Sequence, residues 1–239
     1  MKVIIYNMYV CKPWKVERLL DEQADFYIVP ELGNENNVSL PEGWAMRWFG
    51  DESFCDWKGL GVIWNTKHKC VVPDWWNPAH KFILPVIMDD EYLMLAMWPT
   101  VRKEYEVHSY PVIAWNALSE YEPYLGQFKT VIAGDFNCYV GQNGERKKDA
   151  NIRSIYGWLA ERGFVSAYHD STHEALDEES VTTLYFSKNQ ARNFFIDYTF
   201  TNIAYKKFSA HRLGPRLQRP HRPTAGDIAS RGLTWDRHR

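Results

Sequence analysis

The chain has 239 residues, 45% of them hydrophobic and 24% charged, proportions that allow a sizeable core and exclude disorder as the whole answer. A net charge of −2 supplies no global basic field, which argues against a charge-driven nucleic-acid coat and leaves room for a local basic groove only. The cysteines Cys11, Cys55, Cys70 and Cys138 form no CxxC pair, so neither a zinc site nor a disulfide framework is signalled, and free thiols suit a reducing compartment.

In chain order, Val3 to Tyr6 is a short β-branched apolar run and reads as a buried strand rather than a signal peptide. Trp14 to Gln23 has helical spacing of Trp14, Val16, Leu19 and Leu20. Phe26 to Val29 is a second compact strand that ends at Pro30 and delivers Glu31 at its exit. Residues 33–43 are rich in Asn, Gly and Pro and read as loop. Ala45 to Phe49, Gly61 to Trp64, Phe82 to Met88 and Tyr92 to Trp98 follow as strands, with Asp89-Asp90 as the hairpin turn between the last two. Ser109 to Leu125 is helical, with Pro111 suited to its first turn. Lys129 to Ala133 is a strand that runs into Gly134-Asp135-Phe136-Asn137. Asn151 to Gly163 is a helix with Ile152, Ile155 and Leu159 on one face and Gly163 as its stop. Thr182 to Phe186 and Phe194 to Thr201 are strands, the second carrying Asp197.

After His211 the composition changes. Residues 212–231 form an atypical Arg/Pro-rich segment with no aromatic residue and no period, and Leu233-Thr234-Trp235 reads as a final strand. No repeat and no interdomain linker is visible, so residues 1–239 are expected to form a single domain, a layered α/β sandwich. No apolar run approaches the ~18 residues of a spanning helix. The expectation is a soluble, cytoplasmic chain with no membrane association and no obligate protein partner.

Four of these runs end in, or carry, a polar group: Asn7, Glu31, Asp135 with Asn137, and Asp197. Taken singly, each is most simply a turn residue bonding its own backbone. Taken together, carboxylates and carboxamides at strand exits are hard oxygen ligands, suited to Mg²⁺ or Mn²⁺ rather than zinc, the arrangement used for phosphate-ester chemistry.

The GDFN at Gly134 to Asn137 resembles the endonuclease/exonuclease/phosphatase superfamily, the DNase I-like group. Further motifs fall in the same chain order: Ile4-Ile5-Tyr6-Asn7, Ile28-Val29-Pro30-Glu31, Lys58-Gly59-Leu60-Gly61-Val62, Thr183-Leu184-Tyr185 and Ile196-Asp197-Tyr198. The resemblance spans about residues 1–210 and implies a DNase I-like four-layer α/β sandwich with two central mixed β-sheets. It implies Glu31 as the principal metal ligand with Asn7 beside it. Asp135 is implied to orient or activate the nucleophilic water, and Asn137 to hydrogen-bond the phosphate and support Asp135. Asp197 would orient a catalytic histidine, and Tyr110 matches a tyrosine of the active-site region. The implied activity is that of a Mg²⁺- or Mn²⁺-dependent phosphodiesterase acting on nucleic acid, DNA or RNA.

The sequence also departs from that pattern. Tyr6 replaces a tryptophan, and Tyr9 stands where a second Asp or Asn is common. Pro99-Thr100-Val101 stands where a phosphate-contacting histidine is usual, and nearby His108 reads as a solvent-exposed residue. The closing SDHxP motif is missing, its best match being Ile228-Ala229-Ser230-Arg231-Gly232, with Asp227 and His221 at the wrong spacing. Loss of a general acid/base typically removes about two to four orders of magnitude in rate. Three explanations stand open: a different base, a domain that binds phosphate or nucleic acid without fast turnover, or a frameshifted Arg/Pro tract. A phosphatase acting on a small or lipid phosphate is a further alternative. Lys147, Lys148 and Arg153, and Arg212, Arg216, Arg219 and Arg222, are either phosphate contacts or a solvated face. Trp75-Trp76 reads as packing before base stacking, and Asp177-Glu178-Glu179 is expected away from a polyanion site.

Overall fold

The computed structural model describes residues 1–51, 55, 57–142, 150–185, 193–212 and 231–236. Lys147, Lys148, Arg216, Arg219, His221, Arg222, Asp227, Ile228, Ala229, Ser230 and Phe186 lie outside them. The strands are β1 (Lys2–Ile5), β2 (Phe26–Leu32), β3 (Trp44–Phe49), β4 (Gly59–Asn65), β5 (Cys70–Val71), β6 (Ile83–Met88), β7 (Tyr92–Met97), β8 (Lys129–Asp135), β9 (Val165–Ser166), β10 (Leu184–Tyr185), β11 (Asn193–Phe194), β12 (Asp197–Thr201), β13 (Lys207–Arg212) and β14 (Arg231–Asp236). The helices are α1 (Pro13–Leu20), α2 (Tyr110–Leu125), α3 (Ile152–Glu161) and α4 (Ala167–Thr172).

Two six-stranded sheets form, one in the order β13-β14-β1-β2-β4-β3 and the other β5-β6-β7-β8-β12-β9, beside a small β10-β11 ribbon. Both are mixed: β1–β2 and β7–β8 are parallel pairs, and the remaining pairs are antiparallel. Strand alternation explains the layering. Val3, Ile5, Phe26, Ile28, Leu60 and Val62 of the first sheet pack on Leu84, Val86, Met94, Ala96, Val131 and Ala133 of the second. The intervening Ile4, Tyr27, Val29 and Ile63 turn outward to meet Val16, Leu19 and Leu20 of α1. On the far side Leu93, Leu95, Met97 and Ile132 pack beneath α2 and α3, through Ala114, Leu118, Tyr121, Ile155 and Leu159. The result is helix, sheet, sheet, helix, the expected four layers. Strands buried on both faces cannot alternate polar with apolar, which is why β1, β2, β7 and β8 read as continuous apolar runs.

Local signals behave as their chemistry dictates. Asp89 and Asp90 both take positive φ (54° and 56°), the requirement for a two-residue turn matched to strand twist. Asn151 caps α3 in a reciprocal box with Ser154, and Gly163 beyond it takes φ 80°, the left-handed stop of a helix. Several boundaries need correction. The first helix ends at Leu20, not Gln23. The strand expected over residues 194–201 is two elements, β11 and β12, parted at Phe195-Ile196. The chain around His211 is regular: β13 runs to Arg212 and pairs with β14 from Arg231. Trp75 stacks on Tyr124 with ring centroids 4.1 Å apart, and Trp76 sets its ring edge-on to Phe49, so both serve packing. No helix among the described residues is long and apolar enough to cross a membrane.

Candidate active site

Topology brings the polar strand ends to one rim. β1 and β2 run parallel and exit together, with Met8 N–H donating to Pro30 O at 2.9 Å. β12 is antiparallel to β8, so Asp197 at its start lies opposite Asp135 at the end of β8. Asn7 spans the two sheets: its Nδ2 donates to Asp135 Oδ2 at 3.0 Å and lies 3.4 Å from Glu31 Oε1. Its Oδ1 accepts from Tyr9 N–H at 2.8 Å.

Glu31 is aimed by a backbone irregularity. The β2–β4 register breaks between Pro30 and Leu32, and Glu31, the extra residue, takes φ 63°. A non-glycine residue held there costs energy and marks a constrained position. The break also sets Leu32 opposite Gly59, which carries Lys58 to the same place. Lys58 Nζ lies 2.9 Å from Glu31 Oε2. That oxygen is buried and takes no directed hydrogen bond, so the contact is an ion pair with acceptor capacity left over.

Asp135 is 4% exposed. Its Oδ1 accepts the Asn137 backbone N–H at 2.9 Å, a bond made possible by φ 53° at Asn137. Asn137 Nδ2 donates to Pro99 O at 3.0 Å, and Gln142 Nε2 donates to Asn137 O at 3.0 Å. Asp197 is buried, and its backbone N–H lies 3.3 Å from Thr183 Oγ1. Tyr110 opens α2 close enough to Asp135 for that carboxylate to raise its phenol pKa, second to burial. All of the expected site residues are thus gathered at or beside one rim. Lys58 and Thr183 belong with them. The sequence motifs contained both without indicating a role for either.

Burial dominates the electrostatics. Desolvation pushes the Asp135 carboxyl up to about 7, with the Glu31 charge adding to it and the Asn137, Asn7 and Lys58 groups opposing it. Desolvation and then the Asp135 charge drive Asp197 upward as well, opposed by the Thr183 hydroxyl. Two buried carboxyls with raised pKa hold protons that the unfolded chain loses near pH 4. Their contribution to stability is therefore present in acid and declines as pH rises through about 7. Metal-free protein is expected to melt at a lower temperature at pH 8 than at pH 6, and Asp135→Asn to flatten that slope. Equal slopes for the two proteins in thermal melts would contradict this assignment.

A divalent ion fits the donor set in one respect and lacks support in another. Glu31 offers an oxygen with spare acceptor capacity, and magnesium commonly takes one or two carboxylates and keeps its waters. Among the described residues no three His, Cys, Asp or Glu side chains converge as an all-protein cage. His108 is exposed, as expected from its sequence context. Arg153 pairs with Asp177 at 3.2 Å and Glu179 with His169 at 3.1 Å, so the acidic run is engaged in its own contacts.

This architecture is the DNase I-like fold of endonuclease/exonuclease/phosphatase proteins. It matches the AP endonuclease LMAP of Leishmania major over 100% of this chain and 88% of that one, with TM-score 0.64 and 10% identity. An AP endonuclease from Archaeoglobus fulgidus matches over 98% of each chain, with TM-score 0.61 and 14% identity. The 3′ phosphatase NExo from Neisseria, bound to a product DNA hairpin, covers 100% of this chain and 99% of its own, with TM-score 0.60 and 14% identity. At such identities the likeness is one of fold. No protein-family model matches the chain, and no curated protein matches it.

Proposed function

We propose that this chain is a Mg²⁺- or Mn²⁺-dependent phosphodiesterase acting on nucleic acid, slowed by the missing C-terminal Asp-His pair. The observation that carries this reading is the meeting of Glu31, Asn7, Asp135, Asn137 and Asp197 at one rim, where the Asn7 carboxamide links Glu31 to Asp135, the Asn137 N–H bonds Asp135 and Asp197 lies opposite it. Glu31, with Asn7 beside it, would hold the ion, which when bound neutralises phosphate charge and stabilises the leaving oxygen. Asp135, fixed at both oxygens by Asn137 and Asn7, orients water and accepts its proton. A carboxyl with pKa raised toward neutrality suits a general base. Tyr110, and Asn137 through the Nδ2 hydrogen not given to Pro99 O, would serve as donors to phosphoryl oxygens. Asp197 has no imidazole to orient at the usual motif, and it acts instead by holding charge or a shared proton beside Asp135.

Nucleic acid is favoured as substrate by the flanks of the site and by the company of the fold, which includes AP endonucleases and a phosphatase seen with DNA. Trp57, beside Lys58, is 54% exposed and Tyr9, two residues past Asn7, is 46% exposed. Exposed aromatics at a phosphate site suit base stacking, worth about 1–3 kcal/mol per base. Trp57→Ala in an Asp135→Asn background is expected to weaken binding of a short single strand about tenfold by fluorescence anisotropy. Unchanged affinity would remove Trp57 from the site.

The deciding assay is cleavage of fluorescent single- and double-stranded DNA and RNA with Mg²⁺, Mn²⁺ or EDTA. Metal-dependent cutting at a low rate is expected. Binding without any cutting would establish the second reading, a non-catalytic nucleic-acid or phosphate-binding domain, which the missing motif favours. Phosphate release from monoesters with nucleic acid intact would establish a phosphatase.

A further inference from the structure

We propose that Lys58 is a built-in competitor for the divalent cation: its ammonium neutralises Glu31 in the metal-free protein, must leave when the ion enters, and is then free to pair with substrate phosphate. The inference rests on the reading of Glu31 as metal ligand. Lys58 Nζ stands 2.9 Å from Glu31 Oε2, the position from which an ion would be held. That oxygen has no hydrogen-bond donor of its own, so the lysine is its counter-charge. Among the described residues, no other lysine, arginine or histidine ion-pairs with Glu31, Asp135 or Asp197.

A doubly charged ion and an ammonium on the same carboxylate oxygen repel strongly in a partly buried site. Lys58 has the means to yield. Its side chain is 28% exposed, and four methylenes allow the head to swing without backbone movement. The Trp98 ring already lies 5.7 Å from the ammonium, within cation–π range, a contact the charge can keep when it leaves Glu31. The charge then remains at the rim, where an incoming phosphoryl group needs a cation.

The test uses the whole chain and Mn²⁺ as the probe, followed by electron paramagnetic resonance and calorimetry. Lys58→Met should bind Mn²⁺ at least tenfold more tightly than wild type. Lys58→Arg, which keeps the charge, should stay within about threefold of wild type. Adding Glu31→Gln to Lys58→Met should abolish the gain. Equal, Glu31-dependent affinity in wild type and Lys58→Met would overturn the competition while leaving the metal site standing. Absence of any Glu31-dependent binding would overturn both. A second measurement needs no variant: amine acylation read by mass spectrometry, with Lys69 as internal reference. Lys58 should label slowly in EDTA and several-fold faster with Mn²⁺. An unchanged ratio would overturn the proposal.

Discussion

Glu31→Gln is expected to lower metal-dependent phosphodiester cleavage by about three orders of magnitude, with the fold intact by circular dichroism. Stabilisation of transition-state charge by a bound divalent ion is worth several kcal/mol, and each ~1.4 kcal/mol is tenfold in rate. The amide keeps the shape and the left-handed backbone of Glu31 (φ 63°) while removing the charge that both Lys58 and an ion require. Lys58, left without its partner at 2.9 Å, is exposed enough to turn to water, so the loss should fall on activity and metal affinity rather than on folding. Cleavage at the wild-type rate would end the metal assignment even if the protein proved to be a nuclease.

Gly134→Ala should destabilise the protein by about 4 kcal/mol or more. Gly134 takes φ 146°, and a Cβ there would lie 2.0 Å from the Met97 carbonyl oxygen. That oxygen is backbone of the neighbouring parallel strand β7, paired in register with Gly134, so it cannot rotate aside. Gly126→Ala is the control: no atom would lie within 4 Å of its Cβ and its φ is −86°. It should be neutral or mildly stabilising, by about 0.4–1 kcal/mol. Urea denaturation of the two variants measures both. A Gly134→Ala protein as stable as wild type would mean that β7 and β8 are not adjacent as described.

The geometry at Gly134 shows why the GDFN motif is so legible. Its glycine is demanded by sheet packing, its Asp by the rim and its Asn by a left-handed turn that returns an N–H to the Asp, so three physical constraints coincide in four residues. Buried parallel strands were equally plain, because a strand covered on both faces has to be apolar throughout. The role of Lys58 is illegible for the opposite reason. Lys58 stands in a recognisable motif, but its role depends on a one-residue register break at Glu31, 27 positions earlier, and no local pattern records that. β13 is obscured in the sequence, although Phe208 and Ala210 alternate with Lys207, Ser209 and His211, because the arginines and prolines beyond it dominate the composition. α4, six residues long, is too short for a helical period to emerge. Asp197 is marked by its motif, whereas its closeness to Asp135 follows only from the antiparallel pairing of β8 and β12.

The first sheet depends on chain order. β14 lies between β13 and β1, with Lys2 opposite Asp236 and Ile5 opposite Leu233. During synthesis β1 can therefore dock on β2 early, but its other edge stays open until residues 231–236 have left the ribosome. Until then a bare row of amides and carbonyls can recruit a stray strand from another nascent chain. Poor yield on expression would then reflect an unprotected ribbon edge waiting for its last partner, and slower translation would aggravate the problem by prolonging the wait.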